Sequence, residues 1–112
     1  MAVIYFGNGQ TPVHKTGYSD GALTAVSFWD ATATMKPVLT DYAISTNLAG
    51  TVNIIFGRAA SSAVIFRHLM AGSATIVRTL DTPFVGDQNG GSFYVQTAVT
   101  THIAVNLGGF EY

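Results

Sequence analysis

TVNIIF (51–56), AVIFRHLM (63–70), ATIVRTL (74–80), SFYVQT (92–97) and THIAVNL (101–107) are the segments whose reading decides the fold. Each is short, rich in Val, Ile, Thr or aromatic residues, and bounded by Gly, Asn or Ser. Such runs read as strands rather than helices. Alternation supports this: Val52, Ile54 and Phe56 share one face, as do Phe93 and Val95. Thr101, Ile103, Val105 and Leu107 line another, with His102, Ala104 and Asn106 opposite. One apolar and one polar face per strand is the pattern of antiparallel sheets packed on a common core. The fold class is therefore all-β, an antiparallel β-sandwich. Gly72-Ser73 signals a hairpin between 63–70 and 74–80, and Asp87 through Gly91 signals a turn before 92–97.

Working outward, 38–46 (VLTDYAIST) alternates through Val38, Thr40, Tyr42 and Ile44, and Pro37 ends any helix attempted before it. Residues 23–29 (LTAVSFW) form a strand with Val26 and Phe28 on one face. Residues 10–22, with Pro12, Gly17 and Gly21, have little periodicity and read as a long loop or extended arm. AVIYF (2–6) is a β-prone run stopped by Gly7-Asn8-Gly9. The division is thus an N-terminal strand or arm and loop over 1–22, then a sandwich over 23–112. Loops this long are usually functional or tethered.

Composition narrows the function. The 112 residues suffice for one core and one domain. Apolar residues make up 48% and charged residues 10%, against about 25% charged in an ordinary domain. A free monomer normally keeps a charged surface, so part of this one is expected to be covered by neighbours. The net charge is −1 and no basic stripe exists, which speaks against a nucleic-acid partner. Cysteine is absent, removing disulfides and thiolate chemistry. No apolar run approaches the ~20 residues of a membrane-spanning helix. MAVIYFGNG lacks the basic and apolar regions of a secretory signal, so synthesis in the cytoplasm without export is expected.

Candidate chemistry is sparse. His14, His68 and His102 have no local ligand spacing, and no metal site is expected. Asp81, Asp87 and Asn89 bracket a Gly-rich loop but lack an ordered series of oxygen ligands for calcium; an Asx-type turn with Asn89-Gly90 supplying positive φ is the simpler reading. No Gly-x-Ser-x-Gly elbow occurs, and the only Glu is Glu111, so paired carboxylates are hard to assemble. No enzymatic activity and no cofactor are expected.

The candidates that remain are contact residues. Pairing of 63–70 with 74–80 through Gly72-Ser73 sets Arg67 directly opposite Arg78, which is unfavourable unless an acid is shared. A register one residue away leaves both diagonal and solvated. The sharper expectation is that they meet an acidic group, Asp81 or Asp41, of an adjacent subunit. Among the aromatics, Phe28 is expected in the core. Trp29, off the apolar face and beside Asp30, is the contact candidate. Val3, Ile4, Tyr5 and Phe6 could add a strand to a neighbour's edge. A rival arrangement is a carbohydrate platform of Trp29, Tyr18 and Tyr94.

AGSATIVRTLDTPFVGDQNGG (71–91), FYVQTAVTTHIAVNLGGF (93–110) and the terminal Glu111-Tyr112 resemble a group of small structural proteins of tailed bacteriophages, mostly virion or head-decoration proteins. The resemblance covers roughly the chain from Tyr42 to Tyr112 and implies a jelly-roll-like sandwich on the phage particle. It implies a partner, the major capsid protein, and self-association, expected as a homotrimer, on the capsid surface after synthesis in the bacterial host. The expected function is therefore non-enzymatic decoration or stabilisation of the head. The alternatives are a carbohydrate-binding module on the virion surface and a tail or neck component.

Overall fold

The computed structural model describes residues 10–20, 25–57, 63–98 and 102–112. Within them lie strands β1 (Thr11–Ser19), β2 (Val26–Asp30), β3 (Pro37–Thr46), β4 (Gly50–Gly57), β5 (Ala63–Met70), β6 (Ala74–Val85), β7 (Ser92–Thr97) and β8 (Ile103–Glu111). Two antiparallel four-stranded sheets face each other: sheet A in the order β1-β8-β3-β6 and sheet B in the order β2-β7-β4-β5. Only β4 and β5 are sequence neighbours paired in one sheet; every other connection crosses between sheets. That order is a jelly roll, the closed-core solution for eight short strands.

The core follows from the alternation. Val52, Ile54 and Phe56 of β4, Phe93 and Val95 of β7, and Ile103, Val105 and Leu107 of β8 all point inward and are buried. A line of rings crosses the interior from β2 to β5. Trp29 lies 5.1 Å from Phe93, Phe93 5.1 Å from Phe56, Phe56 5.5 Å from Phe84, and Phe66 5.4 Å from Tyr42. Tilted and edge-on pairs of this kind each add about 0.5–1.5 kcal/mol beyond the area they bury.

Three expectations need correction, and one falls outside what the structure describes. Residues 11–19 are not a loop: they form β1, paired along its whole length with β8, from Thr11↔Glu111 to Ser19↔Ile103. The arm residues Val3, Ile4, Tyr5 and Phe6 lie outside the described residues. Strands 63–70 and 74–85 are not a hairpin. The turn at Gly72-Ser73, with Ser73 at φ 52, carries the chain from sheet B to sheet A. Arg67 therefore stands beside Asn53, and Arg78 beside Tyr42. Trp29 is no surface residue either. A bulge between Ser27 and Trp29 shifts the alternation, so Trp29 is 1% exposed while Phe28 is only half-buried.

β3 contains a second bulge, between Leu39 and Asp41. It turns Leu39 into the core and leaves Val38 and Asp41 on the outer face of sheet A. β8 runs on through Gly108-Gly109 to Glu111, past the expected end of the strand. Glycine is required there by close approach: a Cβ at Gly109 would stand 1.8 Å from the Val38 carbonyl oxygen. The expected positive φ before β7 is present at Gly90, φ 68.

Candidate interaction surface

A sandwich has two open sides, where the edge strands of its sheets lie over one another. Here β1 lies over β2 on one side and β6 over β5 on the other. The two sides are closed very differently.

On the β1/β2 side the gap is filled. The inward positions of β1 are Val13, Lys15, Gly17 and Ser19. Gly17 has no side chain, and the Phe28 ring takes its place, so close that a Cβ there would meet the ring at 2.2 Å. Trp29 Nε1 donates to Glu111 Oε2 at 2.9 Å, and the Thr32 amide donates to Glu111 Oε1 at 2.9 Å. Burial pushes the Glu111 carboxyl up. The bonds from Trp29 and Thr32, with the charge of Lys15, outweigh that and hold it below its ordinary value. Asp30 accepts from Ser27 Oγ at 2.5 Å and Ser92 Oγ at 2.6 Å, and these bonds lower its carboxyl too. An edge carrying Pro12 and an inward lysine resists pairing with a foreign strand.

The β5/β6 side is open. Eight residues of β5 and twelve of β6 present backbone edges with no strand partner among the described residues. The inward Phe66 of β5 and Ile76, Leu80 and Phe84 of β6 pack against the core yet stay half-exposed. Leu69 is 84% exposed and Val77 66%. A cavity of about 520 Å³ opens between the two strands, with Phe56, Ile65 and Phe84 in its wall. A second, of about 570 Å³, lies beside Leu69 and Met70 at the other end of β5. Leu69 and Val77 stand on the outer faces of the two sheets, flanking the partly covered rings of the gap, and free strand edges of this kind are where another chain can pair.

Polar groups are interspersed along both strands, Arg67 and His68 on β5 and Thr75, Arg78, Thr79, Asp81 and Thr82 on β6. The Tyr42 hydroxyl and His68 Nε2 are 2.6 Å apart. Burial raises the Tyr42 phenol, and burial together with the Arg78 charge lowers His68, keeping its ring neutral at neutral pH. Arg67 Nε donates to Asn53 Oδ1 at 2.9 Å, and Arg78 donates to the Val77 carbonyl at 3.4 Å. Both arginines are exposed, on the edge strands of opposite sheets.

The other candidates are separated by the topology. His14 is on β1, His68 on β5, and His102 precedes β8. Among the described residues no three His, Asp or Glu side chains gather for a metal. His102 belongs to an exposed group at the loop end of the sandwich: its Nδ1 lies 2.9 Å from the Tyr18 hydroxyl and 2.8 Å from Asp20 Oδ1, with the Tyr18 and His102 rings stacked at 6.0 Å. The platform of Trp29, Tyr18 and Tyr94 is not formed. Trp29 is buried, Tyr18 is on the outer face of sheet A, and Tyr94 is on the outer face of sheet B.

The half-open side was within reach of the sequence. AVIFRHLM has apolar residues on both faces, Ile65 and Leu69 opposite Val64, Phe66 and Met70 by alternation, which a strand with one solvated face does not need. No family model matches the chain, and no curated protein matches it.

Proposed function

We propose that the chain is a non-enzymatic structural protein of a bacteriophage virion, bound to the major capsid protein on the head surface through the β5/β6 side. The observation that carries this reading is the unpaired β5/β6 side, with partly covered core rings and exposed Leu69 and Val77, on a chain with so little charge overall. Jelly rolls recur in viral shell domains, where assembly proceeds by burial of faces and edges rather than by chemistry. Fold alone does not assign function, so the weight rests on that side. A neighbouring strand laid along β6 satisfies its free backbone groups, while side chains of the neighbour enter the cavity beside Phe84. The low overall charge then reflects surface that is covered in the assembled state.

Quantitative mass spectrometry of purified particles, grown from a genome encoding the chain, tests this. The chain is expected at a fixed ratio to the major capsid protein. Replacing Leu69 or Val77 with Asp should leave it folded but missing from the particle. Absence of the unmodified chain from particles, or undiminished incorporation of both variants, overturns the reading.

A further inference from the structure

We propose that His68 is a proton-operated latch on the open side: its neutral ring ties β5 to sheet A through Tyr42, and protonating it releases β5 while the β1/β2 side stays closed. The inference concerns the free chain and holds or fails without the virion reading. Each side of the sandwich carries a side-chain hydrogen bond that joins the two sheets. On the closed side Trp29 of β2 donates to Glu111 of β8 at 2.9 Å. On the open side Tyr42 of β3 meets His68 of β5 at 2.6 Å. Each tie contains a titratable group, with opposite requirements: Glu111 serves as a charged acceptor, His68 as a neutral ring.

The register lines up the groups on the open side. His68 is paired with Val52, a core residue, and so turns into the gap between the sheets. Tyr42, 3% exposed, meets it from β3, its ring packed on Phe66 at 5.4 Å. Arg78 of β6 is paired with Tyr42 and stands on the same face of sheet A. A neutral imidazole nitrogen can accept from the Tyr42 hydroxyl or donate to it, whereas an imidazolium only donates. Protonation therefore fixes Tyr42 as the acceptor, leaves its hydroxyl hydrogen without His68 to receive it, and sets a second cation beside Arg78. Among the described residues no carboxylate faces the pair. β4 contains no titratable side chain. Arg67, next to His68 on β5, is paired with Asn53 on the outer face of sheet B. Asp41 of β3 and Asp81 of β6 alternate onto the outer face of sheet A. Burial first, and then the Arg78 charge, lower the His68 ring below its ordinary value.

A ring released into water returns to that ordinary value, about 6.5. The released form then gains on the latched one as pH falls below about 6.5, by up to about tenfold per pH unit, until the latched ring is itself protonated. β5 can respond alone because β4 is its one partner in sheet B, and edge elements open locally at less than the global cost. The Glu111 carboxyl, held below its ordinary value, stays charged through this window, so the Trp29 tie persists.

An NMR titration of the His68 ring, with amide hydrogen exchange of the full chain from about pH 7.5 to about pH 5, tests the proposal, protection being corrected for intrinsic exchange rates. The His68 midpoint is expected below the ordinary histidine value. Protection in 63–70 should fall several-fold across the range, while that in 11–19 and 26–30 holds. H68Q should abolish the pH dependence of β5. Y42F should show weak protection there already at neutral pH. R78Q alters an exposed residue, so it reads the latch even if H68Q disturbs folding; it should raise the His68 midpoint and soften the acid loss in β5. A midpoint at or above the ordinary value, a β5 response that persists in H68Q, an R78Q titration identical to wild type, or equal loosening of β1 and β2 would each overturn the proposal.

Discussion

The two open sides of this sandwich use the same building materials to opposite ends. On the β1/β2 side a glycine on the inner face of β1 makes room for the Phe28 ring, and a buried carboxylate joins Trp29 to the loop after β2. On the β5/β6 side the inward rings Phe66 and Phe84 are left half-covered, a cavity remains between the strands, and Leu69 and Val77 stand out in solvent. The first side is a finished edge of the core. The second leaves part of the core at the surface, the part that the proposed function has a neighbour cover. A substitution on the first side should therefore act on folding, and one on the second on assembly.

The largest effect should come from Gly109→Ala. A Cβ there meets the Val38 carbonyl oxygen at 1.8 Å and the Trp29 ring at 3.2 Å, so backbone has to move. A loss of more than about 3 kcal/mol is expected, read as a collapse of the denaturant midpoint or failure to fold. Near-normal stability would mean that β8 and β3 are not held at this separation.

Glu111→Gln should come next, at roughly 2 kcal/mol at neutral pH, since it removes a charged acceptor from one buried and one part-buried donor. Its signature is the pH dependence. The folded-state pKa lies below the unfolded one, near 4.3–4.5. The stabilisation is thus fully present above that value and is lost as pH falls through the folded pKa. The gap between wild type and variant should shrink in acid; a constant gap would assign the loss to packing alone.

Gly17→Ala pushes on the Phe28 ring, which has some freedom to tilt, so about 1–2 kcal/mol is expected from thermal melts. The smallest stability effect belongs to the other side. Leu69→Ser should change the unfolding free energy by less than about 0.5 kcal/mol, because the side chain is already in water. A large destabilisation there would erase the distinction between the two sides.

Much of this architecture was legible in the sequence, and the misses have physical causes. Strands 63–70 and 92–97 fall where alternation and turn residues place them. β1 was hidden because its inward positions include Lys15, Gly17 and Ser19, so no apolar period marks it. Trp29 and Phe28 exchanged roles because a one-residue bulge inverts the alternation, and nothing in LTAVSFW announces a bulge. The Gly72-Ser73 turn has the chemistry of a hairpin but crosses between sheets, a choice made by the partners of β5 and β6 rather than by the turn. β6 continues past Leu80 through Pro83, which an edge strand tolerates. Of the contact candidates, Arg67 and Arg78 are on the open side as surface residues, while the apolar residues beside them were read only as strand formers.

Hydrogen exchange on the chain, free and bound to purified particles, tests the central claim most directly. If the β5/β6 side is the contact, amides in 63–70 and 74–85 gain protection on the particle while those in 11–19 and 26–30 change little. Protection gained along β1 and β2, with β5 and β6 unchanged, would contradict it.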